Sequence, residues 1–144
     1  MSSEQQKSIS FVIPTYNGSL TLEKLVKEII EVFKKYKIEI VIINDSSPDD
    51  SHELCKNLQN NFPNIITYIK LSKNFGEHNA VMAGLRNVDG DLTIIMDDDY
   101  QNEPEEALKL VEYSLNNKFD VVFTHYEKKE DSFVRNLMSK FANF

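Results

Sequence analysis

The sequence predicts an α/β domain built on a largely parallel sheet with helices packed over it. Three observations carry that expectation. Short apolar runs alternate with stretches whose apolar residues recur at helical spacing. The run Ile38–Ile43 is almost continuously β-branched, the composition of a strand buried on both faces. Polar clusters (Pro14–Gly18, Asn44–Asp50 and Asp97–Gln101) follow three of the apolar runs, at the carboxyl ends of strands, where open α/β sheets collect ligands.

Taken in order, Ile9–Pro14 is expected as the first strand, and Thr15–Gly18 as a turn. The next helix presents Leu22, Leu25, Val26, Ile29, Ile30 and Phe33 as one buried stripe. Lys34, Lys35 and Lys37 lie near its end, where the helix dipole favours cations. Ile38–Ile43 is the second strand. Asp50 with Glu53 three residues later has the form of a capping box, opening a helix with Leu54, Cys55, Leu58 and Phe62 inward. Pro63-Asn64 ends it, and Ile65–Lys70 is a third strand. Leu71–His78 is expected as loop and Asn79–Val88 as a short helix, whose Ala80, Ala83 and Gly84 let it lie close to a neighbouring backbone. Leu92–Met96 is the fourth strand. Pro104 suits the first turn of a helix carrying Ala107, Leu108, Val111 and Leu115. Asp120–Thr124 is a fifth strand. Beyond it, Phe133, Val134, Leu137, Met138, Phe141 and Phe144 recur at helical spacing with Arg135 and Lys140 between them, an amphipathic pattern suited to the protein's own core or to a membrane surface.

The 144 residues make one domain, and 41% hydrophobic content is enough for a real core. Residues 1–8 form a polar tail, 9–124 the folded domain and 125–144 a basic, amphipathic segment. The net charge of -7 argues against nucleic acid as the main partner. A single cysteine, Cys55, allows no internal disulfide and suits a reducing compartment. No signal-peptide pattern opens the sequence and no apolar run reaches the length of a membrane span, so the expected location is cytoplasmic, with peripheral contact at the cytoplasmic face through 133–144.

The chemistry concentrates at Ile94–Pro104, where a strand runs into Asp97, Asp98 and Asp99. Alternation along an extended chain would send Asp97 and Asp99 to one side and Asp98 to the other. Two carboxylates about 4 Å apart repel by roughly 4 kcal/mol at an effective dielectric near 20, a cost that a cation removes. Asp97, Asp99 and the Gln101 carbonyl make half of a site for a hard divalent ion, with a diphosphate completing it. Acidic runs are more often solvated loops or helix caps; the strand immediately before this one favours the site. Other chemistries lack their residues. No G-x-G-x-x-G follows the first strand, no P-loop is present, no Cys/His cluster offers zinc ligands, and no serine occupies a G-x-S-x-G elbow. His52, His78 and His125 are scattered.

Four segments, in order, resemble the family 2 inverting glycosyltransferases: Val12–Asn17 (V-I-P-T-Y-N), Ile42–Ser51 (I-I-N-D-S-S-P-D-D-S), Leu71–Leu85 (L-S-K-N-F-G-E-H-N-A-V-M-A-G-L) and Met96–Pro104 (M-D-D-D-Y-Q-N-E-P). The last is similar to the family's D-x-D-L-Q-x-P metal motif. The resemblance covers nearly the whole chain and implies a GT-A fold, a Rossmann-like three-layer αβα sandwich. The forms L-S-K-N-F-G and D-x-D-x-Q-x-P, with Asp131–Phe141, further resemble the dolichyl-phosphate mannose synthase-like branch, which transfers sugars to polyprenyl phosphates.

That resemblance implies a nucleotide sugar, UDP-linked in preference to GDP-linked, as donor and a polyprenyl phosphate as acceptor. It implies that Pro14, Thr15 and Tyr16 line the nucleotide pocket, that Asp45 accepts a hydrogen bond from the base, and that Lys73 lies near base or phosphates. Asp97 and Asp98 would contact ribose or diphosphate, and Asp99, Gln101 and Asp97 would hold Mn2+ or Mg2+. Asp97 and Asp99 would act catalytically through that ion, and no general base is identified. The chain departs from the family pattern at Asn44 (first aspartate of the usual pair), Ser46 (glycine), Gly18 (glutamate) and Tyr126 (arginine). The acceptor-binding half is expected to lie outside the sequence. Two rivals stand beside this expectation: a glycan acceptor in polysaccharide synthesis, and a module that binds nucleotide sugar without transferring it.

Overall fold

A computed structural model describes residues 7–117 and 119–122. Strands and helices alternate as β1 (Ser8–Thr15), α1 (Leu22–Val32), β2 (Lys37–Asn44), α2 (Ser51–Asn61), β3 (Ile66–Lys70), α3 (Glu77–Leu85), β4 (Leu92–Ile95) and α4 (Pro104–Asn117). The four strands form one sheet in the order β3-β2-β1-β4, and every pairing is parallel. β1 therefore has β2 on one side and β4 on the other. The chain leaves β1 toward β2 and returns through β3 and α3 to β4. That reversal opens a crevice at the carboxyl ends of β1 and β4.

Side-chain alternation splits the core between the two faces of the sheet. Ile9, Phe11 and Ile13 of β1 and Ile40 and Ile42 of β2 face α1, α2 and α4. Val12, Val41 and Ile43 face α3 through Ala80. The result is three layers, as the sequence predicts. In β2, Ile40, Val41, Ile42 and Ile43 have no exposed surface, the outcome expected of a β-branched run covered on both sides.

The stripe on α1 is buried at Leu22, Leu25, Val26 and Ile29, and Phe33 closes it edge-on against Phe11, with ring centroids 4.9 Å apart. Cys55 and Leu58 anchor α2, and Ala107 and Val111 anchor α4. α4 begins at Pro104, as its fixed φ favours.

Three expectations need correction. Asp50 occupies the N-cap position of α2 but its side chain makes no capping bond; Asp49 accepts the Ser51 amide at 3.1 Å instead. α3 starts at Glu77, two residues before the predicted helix start at Asn79, because Gly76 at φ 88° turns the chain directly into the helix. Asp120–Val122, the described part of the predicted fifth strand, is not extended into the sheet; its remainder and the whole segment 125–144 lie outside the described residues.

The small face of α3 does bring it close to the sheet, though onto side chains and not backbone. A β-carbon on Gly84 would stand 2.5 Å from Val12 Cγ1 and 2.6 Å from Ile43 Cδ1, both in fully buried residues. Gly84→Ala should therefore destabilise. The helix-propensity gain of about 1 kcal/mol is offset by overpacking of about 1–3 kcal/mol. A urea midpoint that moves down supports this packing; one that moves up shows that Val12 and Ile43 yield freely.

Candidate functional site

A cleft of about 360 Å³ opens at the carboxyl ends of the strands. Pro14, Thr15 and Tyr16 reach it from β1, Asp45 from β2 and Asp97, Asp98 and Asp99 from β4, while Asn74, Gly76, Glu77 and Ala80 close it from the β3–α3 side. Five of these eleven residues are carboxylates and none is basic.

The loops that make the cleft carry backbone strain. Asn17, Ser46 and Tyr100, which follow β1, β2 and β4, all adopt positive φ, at 61°, 60° and 65°. Ser46 stands where the family pattern has glycine, and its left-handed conformation gives the reason for that glycine. Asn44, at the other family departure, is fully buried. Its Oδ1 accepts the Ser47 amide at 2.8 Å and its Nδ2 donates to the Tyr68 hydroxyl at 3.2 Å, which in turn lies 2.8 Å from His52 Nδ1. An aspartate there would lack the donor that Tyr68 receives.

Asp45 is 4% exposed. Its two carboxylate oxygens accept the amides of Phe75 and Gly76, each at 2.8 Å. It thereby ties the end of β2 to the loop that opens α3. Asp49 does similar work on the other flank, accepting the amides of Ser19 at 3.2 Å and Ser51 at 3.1 Å.

The three aspartates do not alternate. β4 ends at Ile95, and Asp98–Asp99 already belong to a turn, so all three line the cleft. The Asp98 carboxylate accepts a hydrogen bond from the Thr15 hydroxyl. A β-carbon at residue 18 would overlap both groups, so the bond requires glycine there. This is the physical content of the Gly18 departure. Asp99 Oδ1 accepts the Gln101 amide at 3.1 Å, while the Gln101 side chain is not among those lining the cleft. Lys73 is also absent from the lining; its ammonium sits 5.0 Å from the centroid of the Phe75 ring.

The electrostatics follow from this crowding. Burial, then the charges of Glu77 and Asp99, raise the Asp97 pKa above its ordinary value. Burial raises that of Asp98 too, with Asp99 and Asp97 adding to it, against the lowering effect of the Thr15 hydroxyl. Ionised Asp97 is thus held at a cost to the native state, a cost absent below the unfolded value of 3.8 and complete above the folded one. Asp97→Asn should be more stable than the wild type at neutral pH in chelator, with the advantage vanishing below pH 3.8. Denaturant titrations at the two pH values check this. An advantage that persists in acid would rule out the charge as its source.

This environment suits a cation. Among the described residues no three His, Cys, Asp or Glu side chains form a complete metal cage. Asp97 and Asp99 both line the cleft and could offer hard oxygen donors, which would leave most positions of a divalent ion to water or phosphate oxygens. Among the described residues lining the cleft, a diphosphate would otherwise meet charged side chains of its own sign alone.

Sequence reasoning missed Asn74, Gly76, Glu77 and Ala80. For the first three a signal was available: Leu71–His78 leaves the carboxyl end of β3 just as the three recognised clusters leave their strands.

Among the described residues, an all-parallel sheet between helices, with an acidic cleft at its topological switch point, defines an α/β domain of the GT-A type. The sequence pattern of Glycosyl transferase family 2 matches residues 10–143, and the chain belongs to that family. It is 38% identical over 145 residues to an undecaprenyl-phosphate 4-deoxy-4-formamido-L-arabinose transferase of Photorhabdus laumondii, covering 99% of this chain and 44% of that protein. The chain thus spans less than half the length of this relative. Among solved structures, GalNAc-T7 with UDP, GalNAc and Mn2+ aligns with a TM-score of 0.58 at 25% identity, over 66% of this chain and 18% of that one. The mannosyltransferase PcManGT from Pyrobaculum calidifontis, in complex with GDP-Man and Mn2+, aligns with a TM-score of 0.57 at 22% identity, over 67% and 28%.

Proposed function

We propose that this domain is the donor-binding part of an inverting glycosyltransferase that moves a sugar from a nucleotide sugar to a polyprenyl phosphate. The observation that carries the proposal is the cleft: among the described residues its lining holds five carboxylates, from the ends of β2 and β4 and from the start of α3, and no basic side chain. Such a lining suits a diphosphate only together with a divalent ion, and both GT-A neighbours named above were solved with Mn2+ and a nucleotide or nucleotide sugar. The Photorhabdus relative is named for an undecaprenyl-phosphate acceptor, which favours the lipid over a glycan.

In this proposal Asp99 and Asp97 hold Mn2+ or Mg2+, with Gln101 beside them. The ion supplies charge stabilisation to the departing nucleoside diphosphate. Tyr16, 48% exposed, offers its ring to the nucleoside, and Pro14 and Thr15 line the cleft with it. Asp45 keeps acceptor capacity for the base after binding the Phe75 and Gly76 amides. An acceptor phosphate oxygen forms the new bond to the anomeric carbon as the bond to the diphosphate breaks, from the opposite face, so the configuration inverts. That oxygen is already anionic and needs no general base. The donor is UDP-linked in this reading; the neighbours carry both UDP and GDP forms.

Thermal unfolding with UDP, with GDP and with neither, each with and without Mn2+, tests the proposal. A specific ligand at about 100 times its Kd should stabilise by about 2.7 kcal/mol. A shift that requires nucleotide and metal together supports the donor site and names the base. No shift with any combination overturns it. A nucleotide shift in a chain that shows no transfer with its other half present would leave the binding-module alternative standing.

A further inference from the structure

Tyr100 is the residue in the aspartate loop whose conformation is hardest to explain from its own chemistry. It follows Asp97–Asp99 directly and adopts φ 65°, a left-handed conformation that a bulky L-residue rarely takes. The family form of the motif carries leucine at this position. Here the ring packs against the main core, its hydroxyl donates to Glu28 Oε2, and the Lys24 ammonium lies 4.2 Å from the ring centroid. Lys24 and Glu28 are themselves paired at 3.7 Å, one turn apart on α1. Two contacts from one helix therefore grip a single side chain at the point where the chain turns out of the cleft.

We propose that Tyr100 is a positioning residue: clamped by Lys24 and Glu28, it holds the Asp97–Asp99 turn against α1 so that the carboxylates face the cleft before any ligand arrives. The chemistry is that of preorganisation. A charged acceptor makes the hydroxyl bond stronger than a neutral one, and the cation over the ring adds to it. Together these contacts offset the local cost of a left-handed tyrosine. The loop is thereby ordered in advance, and binding need not supply that ordering. The inference rests on the donor-site proposal for what the loop binds, but not for whether the loop is clamped.

Two measurements on the 144-residue chain separate those questions. The first is hydrogen–deuterium exchange over residues 97–103 without ligand. The second is the apparent Kd for Mn2+ with UDP, and in a parallel arm GDP, read from thermal shift. Tyr100→Phe keeps ring and backbone and removes only the hydroxyl. It should quicken exchange in the loop and weaken Mn2+–nucleotide binding about tenfold, equivalent to about 1.4 kcal/mol, while the ligand-free melting temperature stays near that of the wild type. Adding Glu28→Ala to Tyr100→Phe should weaken binding little further, because both changes break the same bond. Tyr100→Gly relaxes the backbone and deletes the clamp. It should bind at least as poorly as Tyr100→Phe. Binding by Tyr100→Gly as tight as the wild type would overturn the proposal, since backbone conformation alone would then account for the site. Unchanged exchange and unchanged Kd in Tyr100→Phe would overturn it equally. Should the wild type respond to neither nucleotide with Mn2+, the donor-site proposal falls. The exchange experiment then still decides the clamp: faster exchange in Tyr100→Phe supports it, and unchanged exchange overturns it.

Discussion

Asp45→Asn is expected to cost about 2–4 kcal/mol of folding stability and to abolish nucleotide binding, although the two side chains have the same shape. The carboxylate is buried and accepts two amides, from Phe75 and Gly76, one on each oxygen. An amide can satisfy only one of them; its NH2 must face the other N–H as donor against donor. Hydrogen bonds to a charged group contribute about 1.5–3 kcal/mol each, and an unsatisfied buried donor costs about 1–3 kcal/mol more. The loop so released carries Asn74, Gly76 and Glu77 into the cleft, so binding falls with it. Chemical denaturation and the nucleotide thermal shift read the two effects separately. A stable Asp45→Asn protein that still binds would show that Asp45 is not the tie between β2 and the α3 loop.

Asp99→Ala should remove the whole metal-dependent stabilisation by nucleotide, about 2.7 kcal/mol at 100 times the wild-type Kd, and leave ligand-free stability unchanged or raised. Asp99 adds to the charge that raises the Asp97 and Asp98 pKa values, and among the described residues it makes no hydrogen bond beyond the Gln101 amide two positions on. Deleting it therefore relieves repulsion without opening the core. Groups held against their own electrostatics in this way trade stability for function. Metal-dependent binding that survives Asp99→Ala would move the ion to Asp97 or Glu77. A variant that simply unfolds would contradict the repulsion described here. Asp99→Asn gives the intermediate case, retaining one oxygen donor without its charge.

The strands and the buried helix stripes were legible because burial writes itself into composition: Ile40–Ile43 could be covered on both faces only if every residue was apolar. The Glycosyl transferase family 2 membership was equally legible, in four motifs that fall at three strand ends and one helix start. Fine geometry was not. Alternation at Asp97–Asp99 assumes an extended chain, and β4 stops at Ile95. The capping box at Asp50 and Glu53 has the right spacing, but Asp49 reaches the Ser51 amide first. Glu77 reads as a loop residue because polar composition does not distinguish a loop from a helix's first turn. Gly18 was noted as a departure, but its purpose depends on Thr15 and Asp98, which meet it only in three dimensions.

Cys55, the single cysteine, gives the molecule a built-in clock. It lies fully buried on α2, and burial, with the charges of Asp49 and Asp98 adding to it, pushes its thiol up to about 12. A thiol so placed is inert while α2 stays packed, because alkylation proceeds through the thiolate and needs access. Its rate of labelling therefore counts openings of the α2 layer, without any engineered probe. A ligand that binds only the closed domain would slow that clock in proportion to its occupancy.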